Sequence, residues 1–139
     1  MRTAAAAIVL LLLALPLAAA DFDEIQAVLD AQAKAWNRGD LRGYMEGYAR
    51  DSKTTFVSGD TVTRGWQTVL DRYLKKYDTR AKMGTLVFSD IDMQELNAEE
   101  VFVTGAWAIT RQPDNPHGRF TLLFRRIGNR WRIVYDHSS

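Results

Sequence analysis

The stretch Gly118-Arg-Phe-Thr-Leu-Leu-Phe-Arg-Arg-Ile-Gly128-Asn129-Arg-Trp-Arg-Ile-Val-Tyr-Asp-His-Ser-Ser139 decides how this chain is read. Two runs rich in β-branched and aromatic residues flank Gly128-Asn129, a pair that tolerates the positive φ of tight turns matched to strand twist. It predicts a β-hairpin. With Ile127 and Arg130 flanking the turn, Phe124 faces Ile133, Leu122 faces Tyr135 and Phe120 faces His137. Strict alternation along each strand gathers Phe120, Leu122, Phe124, Trp131, Ile133, Tyr135 and His137 on one apolar, aromatic face. Thr121, Leu123, Arg125, Ile127, Arg130, Arg132, Val134 and Asp136 fall on the other, more solvated face. Everything upstream is expected to fold over the aromatic face.

Immediately upstream, Gln112-Pro-Asp-Asn-Pro116 reads as a loop. Before it, Thr85 to Met93 and Glu100 to Arg111 bracket a polar turn at Asn97-Ala98-Glu99 and predict a second long antiparallel pair. Trp66, Val69, Leu70, Tyr73, Leu74 and Tyr77 recur with helical spacing, which predicts a helix over residues 66–77. Thr54 to Val57 and Thr61 to Arg64 read as two short strands around Ser58-Gly59-Asp60. A first helix is expected from Phe22 to Arg38, opened by an Asp21/Glu24 capping box. Gly39 stops it, and Asp40 caps a second helix whose Leu41, Tyr44, Met45 and Tyr48 share a face. Helices that precede a run of strands imply an α+β domain: a cone-shaped, curved antiparallel sheet with three helices on its concave face.

The chain has 139 residues, 18 Lys+Arg against 17 Asp+Glu, and no cysteine. Arg2, an apolar run from Ala4 to Ala20 broken only by Pro16, and Ala18-Ala19-Ala20 before Asp21 form a secretory signal pattern. Residues 1–20 are therefore expected to be a cleaved signal peptide, and 21–139 a single extracytoplasmic domain, periplasmic or secreted, with no membrane insertion after cleavage. A retained anchor is the competing reading, since the run is nearly long enough to span a bilayer. Cleavage would remove Arg2 alone among the charged residues, leaving 17 basic against 17 acidic side chains. That balance argues against a nucleic-acid partner, which requires a basic face. Without cysteine there is no disulfide and no thiolate chemistry. Only two histidines occur, His117 and His137, with no carboxylate cluster at ligand spacing, so no metal and no cofactor is expected.

This order of elements carries Trp36-Asn-Arg-Gly-Asp-Leu41 after the first helix, Tyr48-Ala-Arg-Asp51 closing the second and Arg64-Gly-Trp66 opening the third. Together with the ending from Gly118-Arg-Phe-Thr-Leu to Trp131-Arg-Ile-Val-Tyr-Asp-His-Ser-Ser139, it resembles the nuclear transport factor 2-like superfamily, in particular its SnoaL-like, ketosteroid-isomerase-like bacterial branch. The resemblance covers residues 22–139 and implies the cystatin-like roll, a ligand cavity inside the cone and a homodimer paired through its sheets. Function is not implied with it, because the superfamily includes isomerases, cyclases, dehydratases and assembly domains. On the isomerase pattern the catalytic aspartate position falls near Phe56 and the oxyanion-hole tyrosine position near Ala33. Neither residue can move or donate a proton, so that mechanism is not expected.

The expected ligand wall comprises Tyr44, Tyr48, Phe56, Trp66, Tyr73, Trp107, Phe120, Tyr135 and His137. The ideal hairpin register sets the His137 imidazole at the end of the aromatic face, where it could act as the catalytic acid/base; a histidine bonded to a nearby backbone carbonyl is the structural alternative. Asp136 would point to the opposite face, so the two form no dyad. Arg64 and Arg119 could take a carboxylate if they turned inward, although exposure is the commoner fate of arginine. The leading reading is a domain that binds a small, largely apolar molecule. An isomerase, cyclase or dehydratase using His137, and a homodimeric assembly module with a vestigial pocket, stand beside it.

Overall fold

A computed structural model describes residues 17–139, in the order α1 (Leu17–Asn37), α2 (Leu41–Met45), β1 (Thr55–Ser58), β2 (Thr61–Arg64), α3 (Trp66–Lys76), α4 (Arg80–Met83), β3 (Thr85–Asn97), β4 (Glu100–Thr110), β5 (His117–Ile127) and β6 (Arg130–Ser138). Of the expected signal peptide, residues 1–16 lie outside the described part. Leu17–Ala20 belong to α1, so Asp21 lies within the helix and is not its cap, contrary to the capping-box reading. The Asp21 carboxylate instead accepts from the Arg126 guanidinium at 2.5 Å and the Trp131 indole N–H at 3.3 Å, tying α1 to the terminal hairpin. Among the described residues no helix is long and apolar enough to cross a membrane.

The fold is α+β, as expected: a curved, unclosed six-stranded sheet with the helices on one face. Strand order is β2-β1-β6-β5-β4-β3, antiparallel throughout except where β1 runs parallel to β6. The curvature has local causes. In β3 the register shifts between Ser89 and Asp92, with Asp90 in the left-handed region at φ 52°, and such bulges bend a strand and increase its twist. In β4 a Cβ on Gly105 would meet the Phe120 ring at 2.4 Å, so only glycine lets that ring cross the strand.

The core lies between sheet and helices. Ile25, Leu29 and Trp36 of α1 and Val69, Leu70 and Tyr73 of α3 belong to one buried cluster with Val101, Val103, Phe124, Trp131 and Ile133. The Asn37 amide fixes the end of α1 to the start of β3, donating to the Leu86 carbonyl at 3.0 Å and accepting from the Leu86 N–H at 2.7 Å. Asp40 caps α2 as expected, accepting from the Gly43 N–H at 2.8 Å. The short helix α4 was not legible in the sequence; Thr79 caps it at 3.2 Å, and Trp36 donates to the carbonyl of its last residue, Met83, at 2.9 Å.

The terminal hairpin follows the expected register only in its outer half, where Ile127 pairs with Arg130 and Phe124 with Ile133. Leu123 then pairs with Tyr135, skipping Val134. The physical reason is a change of neighbour on the other side of β6. Ile133 is held by the chain after α2, its carbonyl accepting from Ala49 N–H and its N–H donating to Gly47, both at 2.9 Å. From Tyr135 onward β6 pairs with β1 instead, and Val134 sits between the two partners. Beyond this bulge the faces are inverted: Tyr135 (43 % exposed) and His137 point outward, while Asp136 (3 %) points in.

Candidate functional site

The concave face and the helices over it enclose two adjoining chambers. The outer one, of about 110 Å³, has aromatic walls: Trp36 of α1, Tyr44 of α2, Phe56 of β1, Tyr73 and Tyr77 at the end of α3, and Trp107 of β4. Trp36 lies edge-on to Tyr44, Tyr73 and Tyr77 at centroid separations of 5.2, 6.1 and 4.8 Å, an arrangement that fixes the rings relative to one another. Leu86 and Ile109 add aliphatic surface. Arg72, Lys76 and the three serines Ser58, Ser138 and Ser139 supply the polar part.

The inner chamber, of about 30 Å³, has room for a water molecule or for one polar group of a ligand. Gln32, Tyr48, Phe88, Phe120, Leu122, Ile133 and Asp136 line it, and it shares Tyr44, Trp107 and Ser138 with the outer chamber. Asp136 is its chemical centre. The Tyr48 hydroxyl donates to Asp136 Oδ2 at 2.6 Å, the Ser138 hydroxyl donates to Oδ1 at 2.8 Å, and the Tyr44 and Tyr48 hydroxyls lie 3.5 Å apart. Burial pushes the Asp136 carboxyl up to about 6, against the opposing pull of the hydrogen bonds from Tyr48 and Ser138 and the neighbouring His137. Burial also pushes the Tyr44, Tyr48 and Tyr73 hydroxyls well above the usual phenol range, with the charge of Asp136 acting in the same direction. The result is a carboxyl that titrates near neutrality beside phenols that stay protonated.

Of the residues expected to form the wall, Tyr44, Tyr48, Phe56, Tyr73, Trp107 and Phe120 line the chambers. Three do not. Trp66 turns away, its indole N–H donating to the Met45 carbonyl at 2.8 Å and its ring stacked under the Arg50 guanidinium at 4.2 Å. Tyr135 and His137 are carried to the outer face by the Val134 bulge, which removes His137 from any acid/base role in the cone. Arg64 and Arg119 are exposed, and Arg119 pairs with Asp90 at 2.7 Å. Asp136, expected on the opposite face, lines the inner chamber instead, and Gln32, Trp36, Arg72 and Lys76 were not expected in the wall. The helical period that marked Tyr73 and Tyr77 also marks Arg72 and Lys76 as one face, but nothing in a strand's composition announces a one-residue bulge. No group of three or more metal-ligating side chains converges among the described residues.

A family model for the SnoaL-like domain matches residues 25–139. The chain belongs to the SnoaL-like domain family. A solved structure of an NTF2-like protein of unknown function from Shewanella oneidensis is similar to this SnoaL-like domain at 39% identity, with a TM-score of 0.82, covering 85% of this chain and 98% of that one. A cystatin-like-fold protein of unknown function from Nostoc punctiforme (15% identity, TM-score 0.71, 89% and 93% covered) and an NTF2-like superfamily protein from Salmonella enterica (16%, 0.69, 88% and 92%) share the fold. No curated protein matches the chain.

Proposed function

We propose that this SnoaL-like domain binds a small, largely apolar molecule in the cone, with one polar group of that molecule reaching the Asp136 chamber. The observation that carries this reading is Asp136 itself, 3 % exposed and hydrogen-bonded by Tyr48 at the end of an aromatic cavity. Burying a carboxylate costs free energy that an apolar residue there would not, so its retention is best accounted for by a ligand group that it meets. Tyr44, Tyr48, Phe56, Tyr73, Trp107 and Phe120 supply the apolar contact, and export followed by homodimerisation completes the proposal. Native mass spectrometry of protein purified from its host tests it: a retained small molecule, lost in Asp136→Leu, is the expected result. A cone that is vacant under every preparation and indifferent to this substitution would overturn it.

One observation favours a second reading, an enzyme of the isomerase, cyclase or dehydratase kind. A carboxyl that titrates at about 6 can accept a proton from an activated C–H or O–H and return it within the same turnover, and Tyr44 can stabilise the oxyanion that develops. The acid/base is then Asp136 in place of His137. Incorporation of solvent deuterium into the bound molecule, absent in Asp136→Asn, separates this reading from simple binding.

A further inference from the structure

We infer that the ligand of this cone is a small organic acid, a single-ring or short-chain carboxylate whose anionic end lies against Arg72 and Lys76. The inference deepens the binding reading above and rests on it. Arg72 and Lys76 are four residues apart on α3 and so share one face of the helix, and both line the outer chamber. Among the described residues no Asp or Glu side chain lines that chamber. Arg72 is half-buried and held in place: one guanidinium nitrogen donates to the Thr63 hydroxyl at 2.8 Å, and the group stacks over Phe56 at 5.2 Å. Its remaining N–H donors meet no acceptor among the described residues, which leaves a fixed, planar fork suited to a carboxylate.

The acidic side chain inside the cone lies apart from Arg72 and Lys76. Asp136 lies in the inner chamber, and each of its oxygens already accepts a hydrogen bond, one from Tyr48 and one from Ser138. The charged side chains of the outer chamber are the cations Arg72 and Lys76, and its aromatic walls are Trp36, Tyr44, Phe56 and Trp107. A cationic ligand would meet Arg72 and Lys76 before anything that could neutralise it. Size narrows the class further: about 110 Å³ is well below what drug-sized ligands occupy and is of the order that holds one benzene ring.

Three probes of similar size decide the point: benzoate, its neutral amide benzamide, and the cation benzylamine. They are titrated into ¹⁵N-labelled protein while the indole N–H signals are followed. Trp36 and Trp107 line the cavity whereas Trp66 and Trp131 do not, so the chain carries its own control. Benzoate is expected to move the Trp36 and Trp107 signals alone and to bind at least about tenfold more tightly than benzamide, with benzylamine weakest. Arg72→Gln should abolish the preference for benzoate over benzamide, while Trp66 and Trp131 signals at their wild-type positions show that the variant is folded. Added chloride should weaken benzoate only. Benzamide moving the same two signals with an affinity equal to or better than benzoate, or Arg72→Gln leaving the preference intact, would overturn the inference and leave the binding reading standing. If none of the three probes moves Trp36 or Trp107, the binding reading falls and the anion preference falls with it.

Discussion

Asp136 carries an ionisable group into a place with almost no exposed surface, and the consequence is a pH dependence of known sign. Its carboxyl titrates at about 6 in the folded protein and near 3.8 when unfolded. Its contribution to stability is therefore fully present below pH 3.8 and is lost as the pH rises through 6, since between those values only the unfolded chain gives up the proton readily. The loss amounts to about 3 kcal/mol. Urea unfolding of wild type and Asp136→Asn at pH 4 and pH 7 should show the difference between the two proteins changing by that order, with wild type relatively weaker at pH 7. A difference independent of pH would mean that the carboxyl is solvated. His137 offers the contrast: it points outward, so His137→Gln should change stability by less than about 0.5 kcal/mol, as at ordinary surface positions, and should leave ligand binding unchanged. The chemistry of both residues could be read from the sequence, but which of them faced the cone depended on a single unpaired residue two places away.

Apart from α4, the strands and helices themselves were legible because their signals are local: Gly128-Asn129 at a turn, Asp40 at a cap, Trp66 to Tyr77 with helical period. What escaped the sequence was set by partners distant along the chain. The pairing of Ile133 with residues 47–49 and of Tyr135 with β1 places the bulge at Val134, and neither contact leaves a trace in the composition of β6. With no native cysteine, this element can be tested directly by single-cysteine labelling. His137→Cys should react with a maleimide in the folded state, whereas Asp136→Cys should react only on unfolding; the opposite pattern would restore strict alternation. At the neighbouring strands, Gly105→Ala sets a Cβ against the Phe120 ring and Ile91. Overpacking of this kind should cost about 1–3 kcal/mol in thermal or urea unfolding, while Gly128→Ala meets no atom within 4 Å and pays only for its φ of 62°.

Across the whole molecule, the outward face of the sheet brings Phe102, Leu123 and Tyr135 into one row over β4, β5 and β6, through the pairs Phe102–Leu123 and Leu123–Tyr135. Phe102 is 36 % and Tyr135 43 % exposed, and aromatic side chains among arginines are the composition of an interface centre. A two-fold dimer is the expected solution state, to be checked by sedimentation; Phe102→Glu should yield monomer with the cone intact, and a wild type that is monomeric at micromolar concentration would remove the proposal. β6 has a further consequence at this scale. It is the last strand in sequence and a middle one in space, flanked by β1 and β5. While the chain is still emerging from a ribosome, β1 and β2 have no sheet to join, Tyr48 has no carboxylate to bond and the cone has no floor. Closure of the cone must wait for β6, and a polypeptide that stays open until then suits the export proposed above, which demands a threadable form.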